Sequence, residues 1–172
     1  MCVLGLGSNL PYKGFSCVEL ITSAVSELRN HLSDLRCSPL YKTAPLHITD
    51  QDFFFNAAVC GYFTASPSAA AARNLLEIIQ KIETQHGRDR LTERRWGERS
   101  LDIDILLFGE LIIAENDLII PHPRLKERAF ALRPLLDVLP GAAEPGTGKQ
   151  YSEILTALPY QEMRLVEFFP QS

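Results

Sequence analysis

Residues 94–109 read RRWGERSLDIDILLFG, and the second half of this stretch decides the fold. The segment LDIDILLF has the composition of a buried β-strand, yet Asp102 and Asp104 stand in its middle. Side chains alternate between the two faces of a strand, so both aspartates point one way while Ile103 and Ile105 point the other. Two like charges on one face of an apolar strand indicate a cationic partner nearby.

The surrounding sequence predicts a β-α-β-β-α-β order of elements. Strands are predicted at residues 2–7, 34–43, 53–63 and 100–108, and amphipathic helices at residues 14–30 and 67–86. Ser66 is the predicted N-cap of the second helix, because Pro67 suits the first helical position. Beyond residue 110 the sequence predicts short extended pieces and short helices at 126–138 and 151–158, and it indicates no element after that. The order predicts one α+β domain over residues 1–172, a ferredoxin-like sandwich with a mostly antiparallel sheet covered by helices on one face.

Composition excludes several classes of protein. The chain has 172 residues and a formal net charge of −4, which argues against broad binding to nucleic acid or to an anionic membrane. No segment reaches the roughly 20 apolar residues of a membrane helix. The four cysteines form no CxxC pair, and Cys17, Cys37 and Cys60 are interpreted as reduced thiols in or near the core. These features predict a cytoplasmic protein.

The residues around the two aspartates suggest phosphate chemistry. Carboxylates on alternate strand positions are close enough to share one magnesium ion or to bridge two. The preceding segment is rich in arginine, whose guanidinium group matches phosphate oxygens, at Arg88, Arg90, Arg94, Arg95 and Arg99. The simpler interpretation is a solvated strand face paired with these arginines. On the residues alone, both interpretations stay open.

Two further segments carry candidate binding residues. In IPHPRLKERAF, residues 120–130, His122 and Arg128 belong to a second basic group that suits phosphate contacts. In FFFN, residues 53–56, Phe54 and Asn56 share one face of a predicted strand, where a ring and an amide suit a flat heterocycle. There is no P-loop motif, so any ATP is bound by another scheme.

Several of these motifs resemble those of the 6-hydroxymethyl-7,8-dihydropterin pyrophosphokinase family of folate synthesis. The resemblance covers residues 1–140 and rests on GLGSNL, SPLYKTAPL, FFFNAAV, RWGERSLDIDILLFG and IPHPRLKERAFALRPL, in that order. It implies transfer of a diphosphoryl group from ATP to the hydroxymethyl oxygen of the pterin, with release of AMP. It also implies small-molecule substrates and a single-function chain without an appended folate-synthesis domain. A monomer is expected, with a dimer left open.

The resemblance further implies a role for individual residues. Asp102 and Asp104 match the ligands of two Mg²⁺ ions, and Arg88 and Arg99 match arginines that assist the transfer. The ATP site would include His122, Arg128, Arg90, Glu83 and Trp96. The pterin pocket would consist of Thr43, Ala44, Pro45, Leu46, Phe54, Asn56 and Phe130.

Two alternatives of other classes remain. A metal-dependent phosphohydrolase would use the same aspartates and arginines with water as the nucleophile. A ferredoxin-like module could instead bind RNA on its sheet through exposed aromatic side chains.

Overall fold

The computed structural model describes residues 1–45, 50–89 and 97–169. Eight strands and four α-helices are defined within these ranges. The strands are β1 (Cys2–Ser8), β2 (Leu32–Cys37), β3 (Pro39–Thr43), β4 (Phe54–Phe63), β5 (Asp102–Phe108), β6 (Ile113–Glu115), β7 (Leu118–Ile120) and β8 (Met163–Phe168). The helices are α1 (Cys17–Leu28), α2 (Ala69–Gln85), α3 (Ala129–Val138) and α4 (Tyr151–Ala157). No helix in the described ranges is long and apolar enough to cross a membrane.

The main sheet has the predicted ferredoxin-like arrangement. Its strand order is β5-β1-β4-β3-β8, with β2 also paired to β4, and β6 and β7 form a separate hairpin. Every pairing in the main sheet is antiparallel. The predicted α+β fold is therefore confirmed, with the central strand β1 lying between β5 and β4.

The predicted strand at residues 34–43 is divided in two. β2 ends at Cys37 and β3 begins at Pro39, and both pair with β4. Ser38 lies at the break and remains hydrogen-bonded to β4. Its N–H donates to Ala58 O at 2.8 Å, and its Oγ accepts from Ala58 N at 2.9 Å. The serine side chain thus replaces one backbone bond of the ladder and lets the chain change direction.

A strand near the C-terminus was not predicted. β8 pairs antiparallel with β3, with Thr43 opposite Met163 and Tyr41 opposite Leu165. Its sequence, MRLVEF, has too few alternating apolar residues to mark a strand by itself. The strand forms because β3 offers it an open sheet edge, which is information held elsewhere in the chain.

Helices cover both faces of the sheet, so the prediction that they cover one face is wrong. Ile103 and Val59 pack with α1 and α2 in one core cluster. Val3, Ala58 and Leu106 face the other way and pack with α3 and α4 in a second cluster. Alternation along β1, β4 and β5 gives apolar side chains to both faces, and each apolar face needs a covering layer.

Helix α2 begins two residues later than predicted. Its N-cap is Ser68, not Ser66, and Ser68 Oγ accepts from Ala71 N at 3.1 Å. Pro67 therefore precedes the helix instead of starting it. The prediction failed because either serine satisfies the local N-cap pattern, and the rest of the structure selects between them.

We expect Ser68→Ala to lower the free energy of unfolding by about 1 kcal/mol, because it leaves an N–H of the first turn without its acceptor. Urea denaturation monitored by circular dichroism measures this loss. The matched control is Ser66→Ala, two residues away on the exposed approach to the helix, which should change stability by less than about 0.5 kcal/mol. Equal losses in the two variants would contradict the assignment of Ser68 as the cap.

Candidate active site

The two aspartates of β5 lie where strand alternation predicts them. Asp102 pairs with Gly7 and Asp104 with Gly5 on β1, while the intervening Ile103 is buried in the α1/α2 core. Gly7 in turn pairs with Asn56 on β4. Residues opposite each other in a ladder share a face, and glycine has no side chain to fill it. The two glycines therefore leave an open floor between the carboxylates and Asn56.

A cleft lies above this floor, between the sheet and the start of α3. It holds about 850 Å³ of space, part of it open solvent. At one end it brings together predicted pterin residues, namely Thr43, Ala44, Pro45, Phe54, Asn56 and Phe130. Its other end, at β5, contains Arg99, Asp102 and Asp104. Arg128 lies between the two ends, because its guanidinium carbon is 5.6 Å from the centre of the Phe130 ring. The sequence segments that carried the resemblance thus meet at one site.

Asp102 is held by two arginines. Arg88 donates to Asp102 Oδ1 and Arg99 donates to Asp102 Oδ2, so each oxygen has its own guanidinium partner. Burial raises the pKa of Asp102, but Arg99 and Arg88 outweigh this effect and hold the pKa below its ordinary value. Asp102 is therefore a carboxylate at neutral pH, and the cation inferred from the sequence is, in part, an arginine pair.

The charge of Asp104 is less well balanced by neighbouring cations than that of Asp102. Arg128 Nη1 and His122 Nε2 lie 3.6 and 3.7 Å from Asp104 Oδ2, which is beyond hydrogen-bond distance. Burial, followed by the charge of Asp102, raises the pKa of Asp104 to about 7. A further positive charge beside this carboxylate would be favourable, because it would offset both effects.

His122 is neutral in this setting. Burial and the adjacent Arg128 lower its pKa to about 4. Its Nδ1 accepts a hydrogen bond from Arg124 N at 3.2 Å, so the ring proton belongs on Nε2, the nitrogen nearer Asp104. A neutral imidazole with its donor turned into the site suits contact with an anionic oxygen.

The donor set fits Mg²⁺ delivered with a phosphate ligand. Among the described residues, no group of three or more His, Cys, Asp or Glu side chains could form a metal cage. Mg²⁺ is usually held by one or two carboxylates, with substrate phosphates and waters completing its shell. Asp102 and Asp104, on one face and next to arginines, match that requirement.

The other end of the cleft carries aromatic and amide side chains. Asn56 Nδ2 donates to the buried Thr43 Oγ1 at 2.7 Å, which fixes the amide with Oδ1 towards the cleft floor. A Cβ on Gly7 would stand 3.1 Å from that oxygen, so the glycine keeps it accessible. Phe54 and Phe130 line the same cleft and are half-buried, which provides two aromatic faces.

Two residues gain roles that sequence reasoning missed. Asn9 Oδ1 accepts from Arg99 N at 2.9 Å, and Asn9 N donates to Arg99 O at 3.0 Å, so Asn9 fixes the backbone of Arg99. Asn9 belongs to the GLGSNL motif, but the sequence around it does not indicate a contact with a residue 90 positions away. Glu83, predicted at the ATP site, is 1% exposed and lies behind Arg88, to which it is hydrogen-bonded.

Three predicted site residues, Leu46, Arg90 and Trp96, lie outside the described residues. Of the remaining predicted set, Arg88 contacts Asp102, and Glu83 contacts Arg88. His122 adjoins Asp104. The other members line the cleft itself.

The fold and the site define a class of protein. It is a ferredoxin-like α+β protein whose sheet carries two neighbouring carboxylates among arginine side chains, in a cleft that also holds aromatic side chains. Within that class the assignment is specific. The sequence model of 7,8-dihydro-6-hydroxymethylpterin-pyrophosphokinase (HPPK) matches residues 3–140, and the chain belongs to this family.

Bacterial relatives match over most of their length. The chain is 38% identical over 156 residues to the 2-amino-4-hydroxy-6-hydroxymethyldihydropteridine pyrophosphokinase of Haemophilus influenzae, covering 90% of this chain and 88% of that one. It is 40% identical over 124 residues to the protein of the same name from Pseudomonas aeruginosa, covering 72% of each.

Other relatives are much longer. The chain is 40% identical over 145 residues to the mitochondrial folate synthesis bifunctional protein of Arabidopsis thaliana, covering 84% of this chain but 24% of that protein. It thus spans about a quarter of such proteins. A solved HPPK-DHPS structure in complex with substrates superposes with a TM-score of 0.66 at 15% identity, covering 91% of this chain and 42% of the other, which supports the fold.

Proposed function

We propose that this chain transfers the diphosphoryl group of ATP to the hydroxymethyl oxygen of 6-hydroxymethyl-7,8-dihydropterin, releasing AMP, as a step of folate biosynthesis. The observation that carries the proposal is the composition of one cleft. Carboxylates and arginines for a metal-bound triphosphate stand at one end, and aromatic and amide groups for a pterin stand at the other. Membership of the family supplies the particular pair of substrates.

The pterin end would bind the ring by stacking and by edge recognition. Phe54 and Phe130 provide the faces, and Asn56 Oδ1 provides an acceptor for ring N–H groups, with Thr43 holding the amide in that orientation. Residues 43–45 line the cleft beside these groups, and Leu46 remains a predicted member of the pocket outside the described residues. A ring placed there would direct its hydroxymethyl group along the glycine floor towards Asp102 and Asp104.

The other end would bind the triphosphate. Asp102 and Asp104 would hold two Mg²⁺ ions, which supply charge neutralisation for the phosphates when bound. Arg88 and Arg99 lie against Asp102, while His122 and Arg128 lie against Asp104, so the chain places donors on both sides of the carboxylate pair. Arg90 and Trp96 remain predicted members of the ATP site outside the described residues.

The bond changes explain this arrangement. The hydroxymethyl oxygen forms a bond to the β-phosphorus, its proton is released, and the bond from that phosphorus to the oxygen bridging the α-phosphorus breaks. The bridging oxygen leaves with AMP and gains negative charge as it leaves. Fixed arginines stabilise such charge because they need no reorganisation during the step. The remaining rate acceleration comes from holding the attacking oxygen in line with the β-phosphorus and the leaving oxygen.

The chain is further proposed to act as a monomer in the cytoplasm on small molecules alone. All four cysteines are free and buried, as expected for Cys17, Cys37 and Cys60 in a reducing compartment. Light scattering on the purified chain tests the first point, since a mass near 19.3 kDa is that of one copy. A mass of twice this value would contradict the monomer.

The reaction is tested by measuring AMP and free phosphate from ATP, with Mg²⁺ and the dihydropterin each omitted in turn. AMP should form only when all components are present, together with one equivalent of the pterin diphosphate. The control is the same chain with the exposed Asp117→Asn substitution, which should behave as the parent chain. Phosphate released without pterin would instead support the phosphohydrolase, and no nucleotide turnover would overturn both.

A further inference from the structure

The side chain of Gln161 connects the two walls of the cleft. Its Oε1 accepts a hydrogen bond from Phe130 N at 3.1 Å, and its Nε2 donates to Ala44 O at 3.2 Å. Phe130 and Ala44 both line the cleft, at the start of α3 and at the end of β3. Gln161 itself lies beyond residues 3–140, the part of the chain that matches the family.

The two partners require an amide at this position. Phe130 N belongs to the first turn of α3, where N–H groups lack a helical acceptor, and the N-cap residue Arg128 makes no side-chain capping bond. Ala44 O, on the other wall, needs a donor. Since one partner is a fixed donor and the other a fixed acceptor, a glutamine satisfies both, whereas a carboxylate would repel the carbonyl oxygen.

Strand β8 fixes the position of Gln161. The strand begins two residues later, at Met163, which pairs with Thr43 on β3. Glu162, which lies between Gln161 and Met163 in the sequence, accepts a hydrogen bond at its backbone O from Ala44 N at 3.3 Å. The backbone beside Gln161 is therefore hydrogen-bonded to the same wall of the cleft that the Gln161 side-chain amide contacts. From this fixed position the side chain extends to the start of α3.

We propose that Gln161 is a positioning residue for the heterocycle pocket, setting the separation between the wall at Ala44 and the ring of Phe130. This inference rests on the proposed function for the identity of the heterocycle. Gln161 does not line the cleft and acts through Phe130 and Ala44. Its loss should therefore weaken binding of the flat substrate more than binding of ATP, whose proposed contacts come from β5 and the segment around His122.

The test compares Gln161→Met, which keeps the side-chain length but neither hydrogen bond, with Gln161→Ala and with the parent chain. We expect Gln161→Met to raise KM for the dihydropterin about tenfold, as the loss of two hydrogen bonds suggests, with KM for ATP changed less than about twofold. Gln161→Ala should show a similar split. The matched control is Gln150→Ala, since Gln150 is exposed and its side chain makes no capping bond.

A second measurement is independent of turnover. Hydrogen exchange of the Phe130 amide in the free protein should accelerate in Gln161→Met and remain unchanged in Gln150→Ala, because only the former loses the acceptor. An unchanged exchange rate, or a pterin KM equal to that of the parent chain, would overturn the role of Gln161. A parent chain without pterin-dependent AMP formation, but with the expected exchange difference, would instead overturn the proposed reaction and leave the bridge in place.

Discussion

Asp104→Asn should lower kcat/KM by about a thousandfold, the rate equivalent of roughly 4 kcal/mol of lost transition-state stabilisation. The reason is that the carboxylate is one of two proposed metal ligands, and an amide oxygen carries no charge to hold a divalent cation near the phosphates. Steady-state AMP formation at saturating Mg²⁺ measures the loss. Titration of ATP in the presence of Mg²⁺ gives a second measurement, and the affinity for ATP should be lower in the same variant.

The same substitution should not lower the free energy of unfolding. Among the described residues, Asp104 makes only long contacts with Arg128 and His122, and it lies on the same face as the ionised Asp102. An asparagine removes the cost of a partly buried charge and the repulsion from Asp102 while keeping the volume of the side chain. A residue that reduces stability but is needed for activity is the pattern expected at a functional site.

Two controls make this result decisive. Asp117→Asn makes the same change at an exposed carboxylate of the β6–β7 hairpin, which contacts Arg73 on α2, and it should leave turnover unchanged. Asp102→Asn should also abolish turnover, but it should destabilise the fold, because it leaves Arg88 and Arg99 without the carboxylate they share. Full activity in Asp104→Asn would exclude this carboxylate as a metal ligand.

Sequence patterns predicted the features that depend on local periodicity. The alternation in LDIDILLF placed Asp102 and Asp104 on one face, as the structure has them. The alternation in FFFN likewise placed Phe54 and Asn56 on one face. The order of strands and helices was enough for the ferredoxin-like sheet, because short connections leave few antiparallel arrangements. Periodicity reports which face a side chain occupies, and these predictions needed nothing more.

The predictions that failed or were missed depend on residues distant in sequence. The choice of Ser68 over Ser66, the covering of the second sheet face and the pairing of β8 with β3 each depend on partners that local patterns do not specify. The same holds for the site. The link from Asn9 to Arg99 spans 90 residues, and the link from Gln161 to Ala44 spans 117. Family resemblance named residues that line the cleft, whereas the residues that hold those groups in place became visible only in three dimensions.

Glu83→Ala should lower the free energy of unfolding by about 3–5 kcal/mol, a large part of the roughly 5–15 kcal/mol available to a domain of this kind. Glu83 is 1% exposed, and Oε1 accepts from Ile103 N at 2.8 Å as well as from Arg88. Alanine would leave a backbone N–H without this acceptor and remove one carboxylate from a guanidinium that is itself largely buried. Urea denaturation of the purified variant measures the loss.

The effect on turnover follows from the geometry around Arg88. This arginine contacts Glu83 on α2 and Asp102 on β5, so Glu83 helps to hold the guanidinium beside the carboxylate pair. Glu83→Gln keeps an oxygen for Ile103 N but loses the charge, and it should therefore cost less stability than alanine while still lowering kcat. The control is Glu77→Ala on the exposed side of α2, which should change neither quantity. If Glu83→Gln kept full turnover, Arg88 would not need a second ionised partner, and the carboxylate of Asp102 alone would be sufficient to position it.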